Sequence, residues 1–147
     1  LKASGNIRLS LRFNDLPKEE SMSTFTQAEA EYLKGQILGR LATVGSDGQP
    51  HVVPVAFRFN SEMVTIDVGG HNGFSKRKKF RDVQKEPRVA FVVDDVASTN
   101  PWHARGIEIR GEAEILKSGG ETIRPGFDPE MFRIRPQHVV SWGIEDL

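Results

Sequence analysis

The sequence predicts a mainly β fold, a barrel of about six strands with a few short helices, and three observations carry that expectation. Short apolar or alternating runs recur through residues 38–142, bounded by glycine, proline, asparagine or serine. Fourteen glycines and eight prolines among 147 residues suit a fold with many turns. Helical signals are confined to two short stretches. A chain of this length fits one domain around one core, and barrels are built from short strands joined by tight turns.

Taken in order, Thr26-Gln27-Ala28-Glu29 is a capping box, which predicts a helix from about Gln27 to Gln36. Leu38–Val44 alternates loosely, Gly45-Ser46-Asp47-Gly48 has turn chemistry, and His51–Phe59 follows, so this region reads as a hairpin. Pro54 lies inside the second strand. It has no N–H for a ladder, so it marks an edge or a bulge and leaves neighbouring backbone groups free to bond something else. Asn60-Ser61-Glu62 is a turn, and Met63–Val68 a strand ending in the glycine-rich loop Gly69-Gly70-His71-Asn72-Gly73. Residues 74–86 read as one helix, stopped by Pro87. The continuous apolar run Val89–Val93 predicts a central strand buried on both faces, followed by a loop over 96–104. Ile107–Leu116 alternates as a half-solvated antiparallel strand. Residues 119–129 are irregular, and Phe132–Arg135 and Val139–Trp142 read as two closing strands around Pro136. Residues 1–21, polar and mixed in charge, are expected to be a peripheral arm, a tag remnant or an upstream segment, with 22–147 the barrel domain and Met22 a plausible start. The alternation of Ile7, Leu9, Leu11 and Phe13 would allow a strand in that arm.

Composition excludes several functions. There is no cysteine, so disulfides, cysteine zinc sites and thiol nucleophiles are ruled out. Twenty acidic and twenty basic residues cancel, which argues against general affinity for nucleic acid or anionic membrane. No apolar run approaches the ~20 residues needed to span a bilayer, and no secretory h-region opens the chain, so a cytoplasmic protein is expected. The four histidines, His51, His71, His103 and His138, form no metal-ligand spacing. There is no G-x-S-x-G elbow, G-x-G-x-x-G fingerprint or Walker motif. Asp94-Asp95 reads as a strand terminus rather than a catalytic pair, and Trp102 and Trp142 as packing or ring-stacking surfaces.

The neutral total conceals one local anomaly. Five of the six residues from Lys76 to Arg81 are cationic, and they follow the glycine loop at a predicted helix start. Cations there oppose the helix dipole at up to about 1 kcal/mol each and repel one another. An anion bound at the helix start would reverse the sign, because free N–H groups, the dipole and the side chains would converge on it. The plain alternative is a solvated charged face. If repulsion dominates, removing Lys78 and Lys79 should leave the fold intact or stabilise it.

Gly39-Arg40-Leu41-Ala42-Thr43-Val44, Asp47-Gly48-Gln49-Pro50-His51-Val52-Val53-Pro54-Val55, Lys79-Phe80-Arg81-Asp82-Val83 and Pro87-Arg88-Val89-Ala90-Phe91, in that order, resemble the pyridoxamine 5'-phosphate oxidase-like superfamily. The closing Ile134–Trp142 segment resembles its last strand. The likeness spans residues 22–145 and is greatest to the actinobacterial branch that uses the deazaflavin coenzyme F420.

The resemblance implies an FMN-binding split β-barrel, homodimeric, with cofactor sites at the subunit interface. It implies that Val53, Pro54 and Val55 lie along the cofactor ring, that Ile66 and Asp67 line the same groove, and that Lys78 and Lys79 meet the phosphate, with Lys76 and Arg81 beside them. FMN oxidases of the family carry an arginine and, five residues on, a lysine in the strand after G-x-P. Here those positions are Val53 and Arg58. The missing arginine argues against FMN, and the four cations at 76–79 suit the longer anionic tail of F420. The expected function is hydride transfer between F420 and a small unsaturated organic substrate, the cofactor carrying the chemistry. The alternatives are an FMN-dependent oxidoreductase and a non-catalytic flavin or tetrapyrrole-binding protein.

Overall fold

A computed structural model describes residues 24–145. The expected arm 1–21, its Ile7–Phe13 alternation and the Met22 start lie outside the described residues. Helix α1 (Gln27–Lys34) is followed by β1 (Leu38–Val44), β2 (Pro50–Asn60) and β3 (Thr65–Gly69). A 3-10 turn (Phe74–Lys76) leads into α2 (Lys78–Lys85), and then come β4 (Arg88–Thr99), β5 (Trp102–Leu116), a second 3-10 turn (Gly120–Thr122) and β6 (Met131–Trp142). The six strands close into one antiparallel barrel in the order β1-β2-β3-β6-β5-β4. This is the mainly β, split-barrel fold that the strand pattern and the resemblance led one to expect.

Local chemistry accounts for the early elements. Both halves of the capping box form: Thr26 Oγ1 accepts from Glu29 N at 3.1 Å, and Glu29 Oε1 accepts from Thr26 N at 2.8 Å. The β1–β2 turn puts Gly48 at φ +84°, and Asp47 Oδ1 accepts from Gln49 N at 3.0 Å. After β2, Asn60 Oδ1 accepts from Glu62 N and Met63 N at 3.1 and 3.0 Å, which closes the turn into β3. Inside the barrel Leu41, Ile66, Phe91, Ile107, Phe132 and Ile134 form one apolar cluster.

Four expectations are corrected. Val89–Val93 is buried on one face only: Val89, Phe91 and Val93 point into the core, while Ala90 and Val92 are half-buried outside. In a closed barrel only one face of a strand meets the core, and a run of five apolar residues hides that alternation. Residues 96–104 are a hairpin, not a loop, with β4 and β5 paired as far as Thr99 and Trp102. Most of those residues are exposed, so no apolar alternation marks them as strand. Residues 74–86 are not one helix. Arg77 is extended (φ −79°, ψ 156°) and separates the 3-10 turn from α2, and Phe74 and Phe80 on either side of it both reach the core. Finally, β6 runs unbroken through Pro136, which sits opposite Gly111 at a register shift. A proline is tolerated where the ladder is already irregular.

Candidate cofactor site

The split in the barrel lies along β2. Its first half, Pro50 to Ala56, pairs with β1, whereas pairing with β3 begins only at Ala56. Among the described residues no strand covers Pro50–Val55 on the other side. Phe57 N donates to Ile37 O at 3.2 Å. By the two-residue alternation of a strand, Val55 and Val53 therefore also turn their backbone groups toward β1, and Val52 and Pro54 turn theirs to the open side. Pro54 has no N–H to leave unsatisfied there, which explains how a proline sits inside a barrel strand. The side chains follow the same alternation: Val55 is buried in the core, Val53 packs partly against it, and Val52 and Pro54 are exposed.

The basic segment opens in several directions instead of converging on one point. Lys78, Arg81 and Lys85 line a groove of about 390 Å³ shared with the turn residues Gly45, Ser46, Asp47 and Gln49. Lys78 Nζ donates to both oxygens of Asp82 at 3.0 Å, and Thr43 Oγ1 donates to Asp82 Oδ2 at 2.7 Å. Burial alone would raise the Asp82 pKa, but the bonds from Thr43 and Lys78 and the charges of Lys78 and His51 outweigh it, and the carboxyl is held below its usual range. Lys79 turns the other way and sits over the Phe74 ring at 5.3 Å. Burial, with the charge of Arg77 added, pushes its pKa down. Arg77 and Arg81 donate to the carbonyls of Asn72 and Lys76. No side chain caps the α2 N-terminus. Because Lys78 is the counter-charge of a buried carboxylate, its removal should cost stability; this corrects the expectation that relief of repulsion dominates.

The glycine loop holds a feature that sequence reasoning missed. The N–H groups of Gly73 and Phe74 donate to Asp128 Oδ2 at 3.0 and 2.8 Å, and Asp128 N donates to Gly70 O at 2.8 Å. An acidic side chain from the segment between β5 and β6 thus occupies the backbone donors of the loop and ties the two together. The Gly73 and Phe74 amides are therefore not open to an external anion, whereas no side chain caps the α2 N-terminus. No local signal links Asp128 to Gly73, 55 positions away.

Ile66 and Asp67 do not share a groove. Ile66 points into the barrel core, and Asp67 points to the outer side of β3, which the 117–130 segment covers. Asp67 is fully buried and accepts from Asn60 Nδ2 at 2.9 Å, Thr65 Oγ1 at 3.0 Å, and Arg133 Nε and Nη2 at 3.1 Å each. Burial alone would raise its pKa, but these bonds and the Arg133 charge hold it below the usual carboxylate range. Arg58 reaches Asp67 more loosely, at 3.4 Å, and donates to Thr122 O at 2.9 Å. It lines a different pocket from Lys78 and Arg81. Asp94 and Asp95, expected at a strand terminus, lie within β4, where they pair with Arg40 and Arg105. No group of His, Cys, Asp and Glu among the described residues could hold a metal ion, and none of the described helices is long and apolar enough to cross a membrane.

An antiparallel barrel opened along one strand, with a cationic helix start after a glycine loop, is a split barrel of the flavin-binding type. The chain belongs to the pyridoxamine 5'-phosphate oxidase family, whose profile matches residues 25–142. It is 49% identical over 121 residues to the 5a,11a-dehydrotetracycline/5a,11a-dehydrooxytetracycline reductase of Streptomyces rimosus, covering 82% of this chain and 84% of the relative. Among solved structures it is similar to an F420 reductase (TM-score 0.57, 25% identity, 74% of this chain and 94% of that one). It also resembles an FAD-binding protein of Mycobacterium smegmatis (TM-score 0.61, 20% identity, 80% and 94%).

Proposed function

We propose that the chain is an oxidoreductase that uses the deazaflavin coenzyme F420 to reduce a small unsaturated organic substrate. The observation that carries this reading is the open edge of β2 in a barrel that also presents an uncapped, cationic α2 start. The residues present fit such a group. The N–H of Val52 and the carbonyls of Val52 and Pro54 would bond the polar edge of the ring. Lys76, Lys79 and the Lys78–Arg81 groove would hold the phosphate and acidic tail. Lys78 is fixed in place by Asp82 and Thr43, so its charge is oriented before any ligand arrives. F420 bound in its reduced form would supply a hydride to an electron-poor carbon and leave oxidised, with a proton from solvent completing the reduction. The reductase relative supports an enzyme of this class, and the 5a,11a-dehydrotetracycline named for it is the natural first substrate to try. A homodimer would cover the exposed Val52 and Leu38 on the outer face of β1 and β2.

The test is a fluorescence titration of the purified protein with F420 and, separately, with FMN. Micromolar binding of F420 with weaker binding of FMN is expected, and replacing Lys78 and Lys79 with alanine should weaken F420 binding at least about tenfold. Micromolar FMN binding with none of F420 would replace this reading with the FMN-dependent one.

A further inference from the structure

The groove beside α2 carries less positive charge than its basic sequence suggests. Lys78, Arg81 and Lys85 line it, but so do Asp47 and Asp82. The Lys78 side chain is 46% exposed and gives two bonds to Asp82, whose side chain is 7% exposed. The two charges cancel, and the pair offers an incoming anion the third ammonium N–H with little net attraction behind it.

His51 stands beside that pair. In the β1–β2 ladder it lies opposite Thr43, so the two side chains leave the same face about 5 Å apart at Cβ. Thr43 is buried and donates to Asp82 Oδ2 at 2.7 Å, and Asp82 feels the charge of the imidazole. His51 is half-buried, and its Nδ1 is buried with no hydrogen-bond partner among the described residues. A buried ring nitrogen left unbonded is unfavourable and asks for a role. Histidine is the side chain that ordinarily changes charge between pH 5 and 8. A protonated ring here is a second counter-charge for Asp82. The cluster of His51, Lys78 and Asp82 then carries one net positive charge instead of none.

We infer that His51 is a positioning residue of this groove: by taking a proton from solvent beside Asp82 it releases the charge of Lys78 to an anion, so that anion binding and proton uptake are coupled. Linkage makes the coupling reciprocal. Asp82 favours the imidazolium, Lys78 on the same helix opposes it, and Arg81, Lys85 and Asp47 line the groove beyond them. An anion that draws on Lys78 weakens the opposition and leaves the attraction of Asp82 in place. The inference rests on the reading of the groove as an anion site, not on which cofactor fills it.

The test is NMR of the whole chain titrated with sulfate, which keeps its double charge through this range, read at the amides of residues 46–49 and at the His51 ring. Sulfate should bind about fivefold more tightly at about pH 5.5 than at about pH 8. By the same factor, saturating sulfate should raise the midpoint of the His51 titration by about 0.7 pH units. H51Q should lose that pH dependence, and H71Q should keep it. K78Q should raise the His51 midpoint without sulfate, because Asp82 then lacks its other counter-charge. If H51Q does not fold, the wild-type ring midpoint with and without sulfate decides. Equal sulfate affinity at both pH values, an unmoved midpoint, or a pH dependence retained by H51Q would overturn this role alone. No sulfate binding in the groove would overturn it together with the anion site, whereas failure of F420 to bind with the sulfate coupling intact would sink only the cofactor reading.

Discussion

Replacing Asp67 with asparagine probes the most heavily bonded charge in the barrel. The carboxylate is completely buried and accepts from Asn60, Thr65 and the Nε and Nη2 of Arg133 within 3.1 Å. Asparagine keeps the shape but removes the charge and turns an amide donor toward groups that are themselves donors. Removing one partner of a buried pair costs roughly 3–5 kcal/mol. The Arg133 side chain left behind is 19% exposed and retains some solvation, so the lower end applies, about 3 kcal/mol. With a urea dependence of roughly 2 kcal/mol per molar, the unfolding midpoint should fall by about 1.5 M at neutral pH. The sign with pH follows from the depressed carboxyl pKa. The stabilisation is fully present above the ordinary value of 3.8 and is lost as pH falls through the lower folded value. Wild-type protein should therefore lose this increment below about pH 4, and the variant should lack that part of the pH dependence. A loss under about 0.5 kcal/mol, or an unchanged acid limb, would refute the claim that Asp67 is a bonded hub joining β2, β3 and β6.

Asp128→Ala should free the Gly73 and Phe74 amides, speed their hydrogen exchange and cost about 1–2 kcal/mol, as loss of a charged cap does; unchanged exchange at both amides would count against the tie. Two glycines in β5 should respond differently to alanine. At Gly106 the new methyl would lie 2.3 Å from Trp142 Cζ2, a side chain that can swing aside, so a loss of about 1–3 kcal/mol and altered tryptophan fluorescence are expected. At Gly111 it would lie 2.1 Å from the backbone oxygen of Arg135, which cannot rotate away, so thermal unfolding should show a larger loss than at Gly106. Equal melting temperatures for the two variants would contradict the packing described for that strand.

Much of this protein is legible locally. The capping box, the Gly45–Gly48 turn, the Asn60 turn and the alternation of Ile107–Leu116 each depend on neighbours within a few positions, and each forms as read. Pro54 announced an interruption in pairing, and the structure shows where it falls: on the side of β2 that β3 leaves open. The hairpin over 96–104 was invisible because alternation reports burial, and that hairpin is largely solvated.

The sequence by itself determined the barrel class, the turns and the cationic character of the segment from Lys76 to Arg81, because propensity, periodicity and net local charge are properties of adjacent residues. Only the tertiary structure decided what those charges do. Lys78 turned out to be bound to Asp82, Lys79 laid over Phe74, Arg58 carried to a separate pocket, and the Gly73 and Phe74 amides taken by Asp128. Asp67 needed Arg133, 66 positions away, before its burial made sense. Partners that far apart meet only when the strands close, and the closure, not the spacing along the chain, sets which charges are neutralised and which remain for a ligand.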